Sequence, residues 1–199
     1  MEKTLSHQAN TYEQIVIVAK ELIQTYGYNG FSYADISVRV GIRKATIHYH
    51  FPTKSYLTKI VVARYRENFS KKLRDVDRQT DDPHRKIQIY VQMYSDVLKK
   101  NDNICLCGML AAEFTTLPED VRWEVQKFFS ENEEWLTKII KSIVLLKVAD
   151  VVTLDESCDQ DEAWLLLSVL EGAMLIARTN EGVPRFYSIT QRLLKRLDL

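Results

Sequence analysis

The chain has 199 residues, 46% of them hydrophobic and 27% charged, and its 27 basic and 27 acidic side chains cancel. This is the composition of a folded globular protein with one sizeable core, or of a small domain joined to a medium one. No apolar run reaches the roughly 18 residues that a membrane span needs, and the segment from Met1 to His7 lacks the basic-then-apolar pattern of a secretory signal. The expectation is a cytoplasmic protein with no membrane partner.

Zero net charge conceals a division. Residues 1–86 carry 15 Lys and Arg against 9 Asp and Glu, whereas residues 87–199 carry 12 against 18. A basic first part beside an acidic second part suits a polyanionic partner for the first alone, or a chance partition of a solvated surface. Three cysteines, Cys105, Cys107 and Cys158, are too few and too odd in number for a disulfide framework and fit thiols in a reducing compartment.

The apolar spacing is helical nearly throughout and nowhere alternates with the period of a strand, so the fold class is all-α. Thr11 and Gln14 form a capping-box pattern that predicts the first helix, with Ile15, Ala19, Leu22, Ile23 and Tyr26 facing inward and Gly27 ending it. Ser32 predicts the cap of a short second helix carrying Ile36 and Val40, broken by Gly41. A third runs from Thr46 to Phe51 and stops at Pro52. A longer helix is expected from Lys54 or Ser55 to about Asp77, closed by the polar run from Gln79 to Pro83. Further helices are expected near 84–100, 104–115, 119–147, 160–180 and 184–197. They are separated at 101–103, at Leu117–Pro118, along the acidic stretch Asp155–Asp161 and at 182–184.

Residues 32–51 have the spacing of a helix-turn-helix: a short helix, a glycine where a left-handed backbone is needed, then a second short helix. Ile36, Val40, Ile42, Ile47 and Phe51 supply the apolar contacts. Arg43, Lys44, Thr46, His48, Tyr49, His50 and Lys54 are left pointing outward, where such groups reach phosphates or base edges. Taken singly each is an ordinary solvated residue; the turn glycine and the basic first part make them a set. His48 and His50, two apart on a helix, make a poor metal pair, and no metal or cofactor is expected.

These residues, from Thr11-Tyr-Glu-Gln-Ile through Gly27-Tyr28, Phe31-Ser-Tyr-Ala-Asp-Ile36 and Val40-Gly41-Ile42-Arg-Lys-Ala-Thr-Ile-His-Tyr-His-Phe51-Pro-Thr-Lys54, resemble the DNA-binding domain of the TetR/AcrR regulators. The likeness covers about residues 9–60. It implies a helix-turn-helix domain over 9–60, a helical ligand-binding and dimerisation domain over 61–199, a homodimer, and release from double-stranded operator DNA when a small molecule binds. Carried over by position, Ser32, Tyr33, Lys44, Tyr49, His50 and Lys54 would meet the phosphate backbone, and Arg43, Ala45, Thr46 and His48 would face bases. Ala45 stands where many members have Gly, and His48 where Tyr is frequent, which bears on the preferred operator sequence.

The resemblance further implies that the last two helices form a four-helix bundle across the dimer axis. The stretch 163–177 is apolar nearly all round and needs cover on more than one side. Trp164, Leu167, Leu170, Gly172 and Ala173, with Phe186, Ile189 and Leu193 of the last helix, are the candidate interface; an intramolecular core is the other reading. For an apolar or aromatic effector the candidates are Tyr90, Met93, Tyr94, Cys105, Cys107, Met109, Phe114, Trp123, Phe128 and Trp135, each of which can equally be core.

The Cys105–Cys107 pair has three readings: packing, a thiol sensor of oxidants or electrophiles, and, with the wrong gap for a zinc knuckle, a metal site. No Gly-rich phosphate loop, His-Glu-x-x-His or nucleophile–base pair points to an enzyme. The alternative to a ligand-released repressor is a helical small-molecule-binding protein whose DNA-reading surface no longer works.

Overall fold

In the computed structural model the backbone is described over residues 2–100, 103–147 and 156–199, and the side chains over 10–100, 103–146 and 159–199. The described residues form nine α-helices, one 3-10 turn and no strand. The helices are α1 (Glu2–Tyr26), α2 (Tyr33–Val40), α3 (Lys44–His50), α4 (Lys54–Gln79), α5 (Pro83–Leu98), α6 (Leu106–Ala112), α7 (Glu119–Lys147), α8 (Glu156–Thr179) and α9 (Val183–Leu197), with the 3-10 turn at Phe114–Thr116. The all-α expectation holds.

Several boundaries differ from the expected ones. Thr11 does not cap α1, which continues back to Glu2, because residues 2–10 contain neither glycine nor proline to stop it. Tyr26 is exposed rather than inward-facing. The expected helix over 104–115 is only seven residues long, Leu106–Ala112, so Cys105 precedes it. From Glu156 on, the acidic stretch is the first turns of α8 rather than a linker, a placement the helix dipole favours. Asn101, Asp102 and the segment 148–155 lie outside the described residues, as does the Cys158 side chain.

The chain divides into two compact units: residues 1–67 with 106–127, and residues 68–105 with 128–199. Where the sequence placed a boundary at residue 60, the segment 106–127 joins the N-terminal unit. That unit buries Ile15, Ala19, Leu22 and Ile23 of α1, Ile36 of α2, Ile47 of α3, and Leu106, Cys107 and Leu110 of α6. Each large aliphatic side chain removed from water in this way contributes on the order of 1.5–3 kcal/mol. Two polar contacts fasten α7 to α4: Ser55 Oγ donates to Asp120 Oδ1 at 2.8 Å, and Arg66 Nε to Glu124 Oε2 at 3.1 Å.

The other unit is built from α5, α8 and α9 with the later parts of α4 and α7. Ile87, Tyr90, Tyr94 and Leu98 of α5 are buried, as are Leu166, Leu167, Leu170, Ala173 and Met174 of α8 and Phe186 of α9. Asp82 caps α5 by accepting the His84 N–H at 3.0 Å, and Pro83 at the first helical position costs no hydrogen bond there.

Candidate functional site

The helix-turn-helix is fixed by short-range chemistry. Ser32 caps α2: its hydroxyl accepts the Ala34 N–H at 3.2 Å and donates to Asp35 Oδ2 at 2.8 Å. Asp35 answers by accepting the Ser32 N–H at 2.7 Å, completing a capping box that holds its carboxyl below the usual range. At the other end Gly41 takes φ +74°, the left-handed cap, and Ser37 Oγ donates to the Ile42 carbonyl at 2.6 Å across the turn. A side chain at Gly41 would meet nothing within 4 Å, so it is the backbone angle that calls for glycine.

α3 then presents one face. Ile47 and the capping residue Phe51 are fully buried, whereas Arg43, Lys44, Ala45, His48 and Tyr49 are exposed, Tyr49 at 75%. Thr46 and His50 are half-buried. The His50 ring lies edge-on to Tyr12 of α1 at 6.0 Å, and His48 packs against Tyr33 at 4.8 Å with Nδ1 3.3 Å from the Pro52 carbonyl. A seven-residue helix with exposed cationic and aromatic side chains on a buried aliphatic root is suited to a groove of duplex DNA.

Two residues expected at phosphate are placed differently. Tyr33 is buried, with its hydroxyl donating to the Phe51 carbonyl at 2.8 Å; burial raises its pKa to about 12. It ties the end of α3 back to α2. Lys54 is half-buried, with Nζ donating to the Phe31 carbonyl and lying 4.6 Å and 4.4 Å over the Tyr28 and Phe31 rings. Burial lowers its pKa, while Glu113 and Asp35 pull the other way. Its ammonium is committed internally. Sequence reading also missed Thr53, whose hydroxyl caps α4 by accepting the Tyr56 N–H at 3.1 Å, and the exposed Tyr56 beside it.

The candidate effector residues separate. Tyr90, Met93, Tyr94, Cys105, Phe128 and Trp135 belong to the second unit, whereas Cys107, Met109, Phe114 and Trp123 belong to the first. Trp123 is a surface residue, 51% exposed, with Lys127 Nζ 3.9 Å over its ring. Cys107 is wholly buried in the packing of α6.

The six in the second unit, Met93 apart, form an aromatic and polar cluster. Trp135 stacks on Tyr90 at 5.4 Å, and Phe69 stands edge-on to Tyr90, Tyr94 and Phe128 at 5.2–6.1 Å. Tyr90 donates its hydroxyl to Asn132 Oδ1 at 2.8 Å, and Asn132 Nδ2 donates to the Phe128 carbonyl at 2.6 Å. Sequence reading missed the charged member. Glu171 of α8 accepts hydrogen bonds from Cys105 and Tyr94, and burial raises its carboxyl to about 7 against those two bonds. The signal was present, since Glu171 is the one ionisable residue in the apolar stretch 163–177.

The expected interface residues also divide. Leu167, Leu170, Ala173 and Phe186 are buried within the chain itself, where the inward stripe of α8 and the root of α9 pack. Gly172, Ile189 and Leu193 are half-buried. Trp164 is 45% exposed, and Leu165, Leu175 and Ile176, which sequence reading did not select, share its exposed face of α8.

A helical chain with a reading helix set on a capped turn is a helix-turn-helix transcriptional regulator. Residues 15–59 match the family described as bacterial regulatory proteins, tetR family. A TetR-family transcriptional regulator from Agrobacterium tumefaciens is 32% identical, superposes with a TM-score of 0.86, and the match covers 95% of this chain and 98% of that one. A TetR regulator from Legionella pneumophila is 28% identical with a TM-score of 0.83, covering 92% and 95%. An uncharacterized HTH-type transcriptional regulator in the lacX 3' region of Lactococcus lactis subsp. lactis is 22% identical over 177 residues, 87% of this chain and 86% of that one. The chain belongs to the TetR family of bacterial transcriptional regulators. None of its helices, among the described residues, is long and apolar enough to cross a membrane.

Proposed function

We propose that this chain is a repressor that binds a palindromic operator as a homodimer and releases it when a small molecule enters the second unit. The observation that carries the DNA-binding part is the exposed face of α3, Arg43, Lys44, Ala45, His48 and Tyr49, held on buried Ile47 and Phe51. Of these, Lys44 and Tyr49 suit phosphate, and Arg43 and His48 suit base edges; Thr46, half-buried, reaches at most a base.

The exposed apolar face of α8 supports a homodimer. Trp164, Leu165, Leu175 and Ile176 stand at helical spacing around Ser168 and Gly172, small residues that let a second helix approach. Release would begin at the aromatic cluster. The chain runs from Cys105 of that cluster straight into α6, and Glu113, one residue past α6, holds the α1–α2 turn of the DNA-binding unit.

Nuclease footprinting of the DNA upstream of the protein's own coding region tests this. The expected result is a protected palindrome whose half-sites lie about one helical turn apart, roughly 34–36 Å, or somewhat further. Tight binding by a stable monomer at micromolar concentration would overturn the dimeric reading.

A further inference from the structure

The Glu171 carboxyl is unevenly satisfied. Cys105 and Tyr94 donate to it, yet Oε1 is closed off from solvent and has no hydrogen-bond partner among the described residues. A buried acceptor without a donor costs on the order of 1–3 kcal/mol, more when it is ionised. A bound ligand that donates to the atom is one way to remove that cost.

The surroundings specify which ligand. Phe69, Tyr90, Tyr94, Phe128 and Trp135 pack ring against ring, and Tyr94 of this set bonds to the Glu171 carboxyl. The groups bearing electrostatically on the two tyrosines are each other, Glu171, Cys105 and Glu133, every one neutral or acidic. The Tyr90 hydroxyl is already turned to Asn132, and Asn132 in turn to a backbone carbonyl. The unmet demand is therefore for a donor, and both the negative potential and the ring faces favour a positive one.

We propose that the cluster of Tyr90, Tyr94, Cys105 and Glu171 recognises a small organic cation, an ammonium joined to an apolar or aromatic body, whose N–H group donates to Glu171 Oε1. The body lies against the Tyr90, Tyr94 and Trp135 rings, and the charge pairs with the carboxylate. This rests on the reading of the second unit as the effector-binding part, and it narrows the effector class from apolar or aromatic compounds to cationic ones. A neutral or anionic compound of the same shape leaves Oε1 without a charged partner or sets a like charge against it.

Three probes of matched shape test the proposal on the full-length protein: 4-phenylbutylammonium, 4-phenylbutanol and 4-phenylbutanoate. Each is titrated calorimetrically and by tryptophan fluorescence, and each is added to a protein–operator complex in a gel shift. The expected result is saturable binding of the ammonium, about tenfold or more weaker binding of the alcohol, and none of the carboxylate. Glu171→Gln, checked for folding by circular dichroism, should weaken ammonium binding at least about tenfold and so abolish the preference for the ammonium over the alcohol. Equal binding of ammonium and alcohol by the wild type, or no binding of the ammonium, overturns the proposal whatever the variant does. If the alcohol nonetheless releases operator, effector control stands and only the cation assignment falls; if the ammonium binds without releasing operator, the cation site stands and effector control falls.

Discussion

Glu113 accepts the backbone N–H groups of both Tyr28 and Asn29, the second at 3.3 Å, and so closes the turn between α1 and α2 with a carboxylate that comes from 84 residues further along the chain. The turn is made for it. Gly27 takes φ +75°, and a methyl group built there would stand 2.8 Å from the Glu113 carboxylate atoms. Asn29 Nδ2 adds a bond to Thr116 Oγ1 at 2.9 Å.

Glu113→Ala removes a charged acceptor from two backbone donors and should destabilise the protein by about 1.5–3 kcal/mol. Gly27→Ala meets both a strained backbone and the carboxylate, and should cost at least about 1 kcal/mol. Urea unfolding of both variants checks this; midpoints equal to the wild type would show that the contact does not hold the turn.

Lys44 and Lys54 should separate in their salt dependence. Lys44→Ala, at an exposed position of α3, should weaken binding to all sequences alike and reduce the magnitude of the salt slope by about one. Lys54→Ala removes the ammonium bonded to the Phe31 carbonyl, so it should lower stability while leaving the slope unchanged. Titration of each variant at several salt concentrations distinguishes them, and a reduced slope for Lys54→Ala would return that residue to the phosphate.

Glu171 makes a pH prediction. Its folded-state carboxyl sits at about 7, raised by burial from an ordinary 4.5, next to Cys105 and Tyr94 with Tyr90 close by. The folded protein therefore keeps a proton that the unfolded chain releases, a contribution fully present below pH 4.5 and lost as pH rises to about 7. Relative to the wild type, Glu171→Gln should gain stability between pH 5 and pH 8, by something on the order of 2 kcal/mol. Denaturant midpoints across that range check the sign; an unchanged pH profile in the variant would place the titration elsewhere.

A charge on the outer face of α8 should separate subunits. Ile176 is 53% exposed, so Ile176→Asp leaves the protomer core intact and places a charge where a second copy would pack. Sedimentation should shift from dimer to monomer at micromolar concentration, with unchanged helical content. A wild type that sediments as a monomer would contradict the assignment of this face.

How far the sequence discloses the molecule depends on range. The Ser32 cap, the Gly41 turn and the buried Ile36, Ile47 and Phe51 are legible because each depends on neighbours within a few residues. The faces of α8 are not, since an apolar stretch shows no side: Leu167 and Leu170 turn inward, and Leu165 and Ile176 outward. The family pattern points Tyr33 and Lys54 to phosphate by position. Their actual partners, the Phe51 and Phe31 carbonyls, lie 18 and 23 residues away, where only the folded chain brings them. Glu113 and Glu171 are further cases, a surface-type and a core-placed carboxylate that sequence alone does not tell apart.

Whether α3 reads DNA is measured by fluorescence anisotropy with a labelled duplex from the protein's own upstream region. At fixed salt the wild type should bind that duplex at least a thousandfold more tightly than a scrambled one. The double variant Arg43→Ala with Lys44→Ala should lose most of that preference while keeping the wild-type thermal unfolding. Equal affinity of the wild type for both duplexes, or an unaltered preference in the double variant, would contradict it.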